Sequence, residues 1–400
     1  HPNACYWWWP MKRRSWKIKV LYTALGLLGL LVCAVLVFIA LGWTAFGSAP
    51  DARSVVKIAA SPQHKDGSFT NRLEEKIGPI STMLGRAINS QNTAPVRPPP
   101  VVSVQPGDFA GSAPGEINFT WFGHSTVLVE LGDRRVLIDP VFSQRASPWQ
   151  FMGPSRFHPP PMALDALPEI DAVLISHDHY DHLDHHSIRA LVSRVGVFVV
   201  PLGVRSHLVY WGVPEEKVVE LDWWSGHQLG ELSFVSVPAR HFSGRSAWDR
   251  NRTLWTGWAI IGPESRVFYS GDTAMFPGFR EIGQKLGPFD LTIVETGAYD
   301  MTWADVHLGP EQAVQAHLDV RGRVMFGVHW GTFKLANHSW TEPIERLRIA
   351  ANKAGVRLVH PRVGERVTVR EAPQTRWWPE VPFQTAQEAP VVSSGLPSRE

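Results

Sequence analysis

Five of the seventeen histidines in this 400-residue chain fall within ten residues: His177, His179, His182, His185 and His186. They follow an apolar run, Ala172-Val173-Leu174-Ile175-Ser176, so the segment reads as a buried strand ending in a polar loop. His177 and His179 are two apart, project the same way in extended geometry and can chelate one ion. Asp181 and His182 diverge from that pair, so one loop can feed two metals about 3.5–4 Å apart. His185 and His186 read as the start of a solvated helix. The strand-then-polar pattern recurs downstream. Phe234–Pro238 leads to His241, Val267–Ser270 to Asp272, and Val324–Val328 to His329. Taken singly, each suits a satisfied core histidine or a turn aspartate equally well. Four in step with strand ends imply a dinuclear site at one sheet edge.

From about 117 to 370, short β-rich runs alternate with helical patterns, which predicts an α/β domain. Residues 48–116 read as a helical and Pro-rich linker region, with one amphipathic helix over roughly Asn71–Ile88 and a linker at 93–116 that contains Pro98-Pro99-Pro100. The stretch 371–400 is rich in Pro, Ser and Gln, and its composition predicts a disordered tail.

Val20–Phe46 is almost continuously apolar, and no charge occurs from Val20 to Pro50. About 20 such residues suffice for a bilayer core, so the expectation is a transmembrane anchor over 20–47. Lys12, Arg13, Arg14, Lys17 and Lys19 precede it with no acid among them. That bias predicts a single-pass protein with residues 1–19 cytoplasmic and the catalytic domain on the extracytoplasmic, periplasmic side. Residues 1–10 precede the first methionine, Met11, and read as upstream sequence. With those five bases set aside, 34 basic residues face 37 acidic ones, a balance that disfavours nucleic acid as a partner. Both cysteines, Cys5 and Cys33, lie in the first fifty residues, which excludes a cysteine-ligated metal in the α/β domain.

His177-x-His179-x-Asp181-His182, followed by His241, Asp272 and His329, resembles the ligand pattern of metallo-β-lactamase-fold hydrolases. Flanking motifs are similar to the branch that contains N-acyl-phosphatidylethanolamine phospholipase D and its bacterial relatives. They include Asp139-Pro140-Val141-Phe142-Ser143, Gly153-Pro154, Gly271-Asp272-Thr273, Gly297-Ala298-Tyr299 and His329-Trp330-Gly331-Thr332-Phe333. The resemblance covers about 118–365 and implies an αββα sandwich. It places His177, His179 and His241 on one Zn²⁺, Asp181, His182 and His329 on the other, and Asp272 between them. Iron or manganese suits the same ligand types.

The resemblance implies further roles. Asp181, Asp272 and His307 would carry catalysis, His307 as donor to the leaving oxygen. Asp139 would orient a ligating imidazole. Gln150 and Phe151 align with positions that line a lipid-facing cavity, and His124 reads as a structural contact near the site. A homodimer is implied by resemblance alone. The function expected is a membrane-anchored dinuclear-zinc phosphodiesterase of phospholipase D type, which attacks a phospholipid at the membrane surface with metal-generated hydroxide. A lactonase or β-lactamase-like hydrolase, or a non-catalytic zinc-bearing envelope protein, are the other readings. The chain has no G-x-S-x-G elbow, phosphate-binding G-x-x-x-x-G-K-[ST] loop or H-E-x-x-H helix. The topology has a direct check: alkaline phosphatase fused after residue 50 should be active in cells and a cytoplasm-dependent reporter silent, whereas the reverse would place the domain inside.

Overall fold

The computed structural model describes residues 16–396. The chain divides after Thr44 into two units. The first is most of helix α1 (Trp16–Phe46), which starts before the expected span. Its stretch Ile18–Phe46 is long and apolar enough to cross a membrane. Leu25, Leu28, Val32 and Leu36 are all exposed, because the sequence gives this helix no polar stripe to set against an apolar one.

The second unit opens with α2 (Ala52–Ala60), capped by Asp51, whose carboxylate accepts from the Ser54 amide at 2.8 Å. A two-strand hairpin, β1 (His64–Lys65) and β2 (Ser68–Phe69), and α3 (Ile80–Asn89) follow. The next strands are β3 (Ile117–Gly123), β4 (Thr126–Leu131), β5 (Arg134–Ile138) and β6 (Ile170–Leu174). After α4 (His185–Leu191) come β7 (Val195–Pro201), α5 (Val204–Tyr210) and β8 (Val218–Leu221). A second series holds β9 (Gly226–Leu229), β10 (Leu232–Val237), β11 (Gly257–Ile261) and β12 (Arg266–Tyr269). It continues through α6 (Gly278–Leu286), β13 (Phe289–Glu295), α7 (Pro310–Asp319), β14 (Gly322–Val328), α8 (Glu342–Ala354), β15 (Arg357–Val359) and β16 (Arg366–Thr368).

These strands form two seven-stranded sheets, ordered β16-β3-β4-β5-β6-β7-β8 and β15-β14-β13-β12-β11-β10-β9. Each sheet begins as an antiparallel meander and continues as parallel strands, all joined through helices except β5 and β6, which the long loop 139–169 connects. This shared topology has no counterpart as a sequence repeat. Side chains alternate cleanly through the first sheet. Val127, Val129, Val136, Ile138, Ala172 and Leu174 face the second sheet, in a core with Phe234, Trp258, Ile260 and Phe326. Leu128, Leu137, Val173 and Phe198 face outward onto α4 and α5 through Ile188, Leu191, Val204 and Leu208. The result is the mixed α/β metallo-β-lactamase-type fold, with helices outside two facing sheets.

Two expectations are corrected. The region 48–116 is not a free linker: Val104 and Phe109 are buried, and the Val102 amide donates to Val363 O at 2.8 Å. Its amphipathic helix is confined to Ile80–Asn89, and Pro79 precedes it as a natural boundary. The stretch 371–396 is likewise packed. Trp378 is buried, its indole donates to Glu345 Oε1 at 2.8 Å, and its ring meets Trp330 edge-on at 5.4 Å. Ser393 Oγ donates to Ala304 O at 2.6 Å. Isolated anchors such as Trp378 and Val391 hold this segment in irregular conformation, which a composition average over polar neighbours conceals. Trp378→Ala should therefore cost about 3–5 kcal/mol in chemical denaturation; a loss below about 0.5 kcal/mol would mean the tail is not packed.

Candidate metal centre

Within each sheet, every strand that leads to a candidate ligand runs in the same direction. β3, β5 and β6 point one way in the first sheet, and β10, β12, β13 and β14 share a direction in the second. Their carboxyl ends deliver His124, Asp139, the loop 177–182, His241, Asp272, Glu295 and His329 to one cleft. Three of these residues sit in the left-handed region, His124 at φ 52°, Asp139 at φ 41° and His329 at φ 69°. Non-glycine residues pay roughly 1–3 kcal/mol for such backbone, and they gather where a sharp turn off a strand must aim a side chain inward.

One atom from each of His177, His179 and His241 lies within 4.8 Å of the others, and the same holds for His124, Asp181, His182 and His329. His177 Nε2 is 2.9 Å from His179 Nδ1, which is 3.3 Å from His241 Nε2. Asp181 Oδ2 is 2.9 Å from His124 Nε2 and 3.2 Å from His329 Nε2. Asp272 lies between the two groups. Its Oδ1 is 3.1 Å from His182 Nε2 and its Oδ2 is 3.1 Å from His329 Nε2, with His177 and His241 each at 3.8 Å.

Hydrogen bonds on the far side of each ring fix which nitrogen faces the cleft. His241 Nδ1 donates to Val306 O at 2.7 Å and His329 Nδ1 to Gly297 O at 3.2 Å. His182 Nδ1 donates to Asp139 Oδ2 at 2.7 Å. Ser176 Oγ donates to that same oxygen at 2.5 Å, so it accepts from His177 Nδ1 at 2.9 Å. The Nε2 lone pairs of His177, His182, His241 and His329 therefore point at the cluster. Asp139 also accepts from the Ser176 amide and from Tyr269 Oη, so it stands fixed behind an imidazole. Asn71 clasps the His241 backbone from both sides, at 2.7 and 3.1 Å.

Charge in the cluster is strongly biased. Burial pushes His177 and His241 well below the usual imidazole range, which keeps their lone pairs available. Burial alone would raise Asp272 and Asp181, but the His182 ring beside them holds both well below the usual carboxylate range. Burial also opposes charge on His182 and His329. Even so, Asp272 and Asp181 hold His182 well above its ordinary value, and Asp272 leads the groups that push His329 up to about 10. The carboxylates of buried Asp272 and partly buried Asp181 thus call for positive charge. Buried His182 Nε2 and Asp272 Oδ1 face each other, yet neither has a hydrogen-bond partner. Those orphaned atoms, the neutral imidazoles and the ionised carboxylates all suit a divalent cation.

A family model described as Beta-lactamase superfamily domain matches residues 134–330. An uncharacterised protein of Mycobacterium tuberculosis is 46% identical over 331 residues, covering 79% of this chain and 87% of its own. N-acyl-phosphatidylethanolamine-hydrolyzing phospholipase D 1 of Caenorhabditis elegans is 38% identical over 243 residues, 57% of this chain and 68% of its own. The chain belongs to the β-lactamase superfamily. Igni18, a metallo hydrolase from Ignicoccus hospitalis, superposes with a TM-score of 0.50 at 22% identity, over 63% of this chain and 98% of that one. That likeness shows the fold.

The cleft of this β-lactamase-superfamily chain opens into a cavity of about 300 Å³. Its lining combines polar His179, Asp181, Asp272, His307 and His329 with apolar Ile77, Met83, Phe242, Trp303, Val306 and Leu335. His307 sits there with its Nδ1 against Glu295 Oε1. Gln150 and Phe151 do not line it, against expectation. Gln150 closes its own loop, accepting from the Arg145 amide at 3.1 Å and donating to Arg145 O at 3.1 Å, and Phe151 is 61% exposed outside the cavity. The loop's own polar groups claim the glutamine before any ligand can.

One site residue was not recognised from sequence. Glu295 is fully buried, and its Oε2 accepts from the Thr273 amide at 2.7 Å, so it steadies both His307 and the turn after Asp272. It ends Phe289–Glu295, and the same strand-then-polar signal would have found it. His124 ends β3 in the same manner and joins Asp181 directly rather than lying nearby. Asp139→Asn should lower metal affinity about 10–100-fold in a chelator-competition titration, because His182 loses the group that orients it; unchanged affinity would remove Asp139 from the centre.

Proposed function

We propose that this metal-dependent hydrolase is a dinuclear-zinc phosphodiesterase of phospholipase D type, acting on N-acyl-phosphatidylethanolamine-like phospholipids. The observation that carries this reading is the cavity, whose lining joins His and Asp side chains with apolar ones, as an amphiphile's polar junction requires. Similarity to the Caenorhabditis elegans phospholipase supports the substrate class. His177, His179 and His241 would hold one Zn²⁺, and Asp181, His182 and His329 the other, with Asp272 shared and His124 bonded to Asp181. Two such cations supply hydroxide at neutral pH and neutralise charge that develops on phosphoryl oxygens.

The chain's own residues do the rest. Asp139, fixed by Ser176 and Tyr269, keeps His182 aimed at the cleft. Glu295 holds His307, whose ring lines the cavity beside Asp272, with Nδ1 3.9 Å from Asp272 Oδ2. The oxygen of water bonds to phosphorus, the proton it loses replaces the one that His307 gives up, and the bond to the ethanolamine oxygen breaks. His307 gives its proton to that oxygen, which releases an N-acylethanolamine and phosphatidic acid. Ile77, Met83 and Phe242 would keep water from the acyl side. α1 would anchor the chain by a single pass with the basic end cytoplasmic, confining enzyme and lipid to one surface.

The test is release of N-acylethanolamine by the full chain in mixed micelles, with a lactone and a β-lactam assayed in parallel. We expect chelator-sensitive release that falls at least 10²-fold in Asp272→Asn and about 10²–10⁴-fold in His307→Ala. Turnover of the lactone or lactam without lipid hydrolysis would keep the metal centre and overturn the lipid assignment.

A further inference from the structure

The loop that carries four candidate ligands is tied to Ala45, in the last turn of the apolar helix, and to the chain that follows it. Arg245 is buried, and its hydrogen bonds go to main-chain carbonyls. Nη1 donates to Asp178 O at 2.5 Å and Leu183 O at 2.8 Å, both in the 177–183 loop. Nε and Nη2 donate to Ala45 O at 2.9 and 2.7 Å. The guanidinium also lies 4.1 Å from the Tyr180 ring centre, and Tyr180 Oη donates to Arg245 O at 2.5 Å. Asp178, Tyr180 and Leu183 alternate with or follow the ligands His177, His179, Asp181 and His182, so the arginine grips the loop on the side away from the metals.

A second line runs in parallel. The Ser48 amide donates to His207 Nδ1 at 3.0 Å, and His207 Nε2 lies 3.5 Å from Asp178 Oδ2. The Asp178 carboxylate further accepts from the Gly244 amide at 2.7 Å and Thr253 Oγ1 at 2.8 Å. Beyond these, the Asp51 amide donates to Ser206 Oγ at 2.9 Å, and Asp51 pairs with Arg205. The segment can lie this close only because residue 47 is glycine. Its φ is +83°, and a Cβ there would collide with His207 Nδ1.

We propose that residues 45–51 are a strut of the metal loop, and that Arg245 is the positioning residue that transmits it. In this arrangement the chain leaving the apolar helix helps set the spacing of His177, His179, Asp181 and His182. A planar fork is required, since one side chain must satisfy three carbonyls in two directions at once. Breaking the tie leaves the ligands present but loosens the loop, which weakens the metal without removing a ligand.

The matched control is Gly67. It has nearly the same φ, +82°, yet a Cβ added there would meet nothing within 4 Å. Full-length Gly47→Ala, Gly67→Ala and Arg245→Lys would be titrated with Zn²⁺ against a chromogenic chelator, alongside amide hydrogen exchange over residues 177–183. Gly47→Ala and Arg245→Lys should each lose about tenfold or more in Zn²⁺ affinity, with faster exchange in the loop. Gly67→Ala should stay within about twofold of wild type, because it shares the backbone strain without the collision. Equal losses in Gly47→Ala and Gly67→Ala would overturn the strut, as would affinity and exchange in Arg245→Lys indistinguishable from wild type. Should Gly47→Ala fail to melt cooperatively, Arg245→Lys decides alone. Wild type that takes up no Zn²⁺ would instead sink the metal centre, and with it this inference; turnover of any substrate enters neither result.

Discussion

Asp272, buried, and Asp181, partly buried, are carboxylates set among imidazoles, and that setting is the constraint the rest of the structure answers. An ionised carboxylate taken out of water costs several kcal/mol unless opposite charge and donors surround it. Asp272 meets His182 and His329 within 3.1 Å, and Asp181 meets His124 and His329 within 3.2 Å. Burial at the same time strips His177 and His241 of protons. The cluster is therefore poised between ionised carboxylates and neutral nitrogen donors, as divalent cations require. No single element could hold it. The left-handed turns at His124, Asp139 and His329 are strain that the two-sheet core outweighs.

Irregular chain around the sheets completes the site. Asn71 holds the His241 backbone, Ile77 and Met83 wall the cavity, and Ser394 bonds Asp305 beside the segment that bears Val306 and His307. Residues 45–51 tie onto the ligand loop through Arg245 and His207. Residues 45–116 and the stretch after β16 thus belong to the same folded unit as the two sheets. A framework with ligands on strand ends and pocket walls on appended segments lets the wall change without disturbing the metals.

The candidate ligands were legible because their signal is local. An apolar β-branched run followed by His or Asp names both a strand and the residue at its end, and His241, Asp272 and His329 stand where that rule puts them. Asp139 was legible by the same rule. Glu295 obeyed it unnoticed, and His124 reads only as a structural contact, since one carboxylate or one histidine after a strand carries no spacing to set it apart. Gln150 and Phe151 failed for the opposite reason. Similarity placed them, but the hydrogen bonds of Gln150 to Arg145 decided where that loop turns. Composition misread the tail because a few anchors such as Trp378 suffice to dock a polar segment.

By itself the sequence determined the strand-end ligands, the α/β class and a helix too apolar for any polar stripe, because periodicity and short spacing are properties of a few adjacent residues. Resemblance grouped His241 with His177 and set Asp272 between two groups, but only the tertiary structure brings those side chains within reach of one another and shows that Arg245 reaches from Ala45 to Leu183. Those facts join residues as many as 200 positions apart, and their proximity follows from how two sheets pack, which no local pattern encodes.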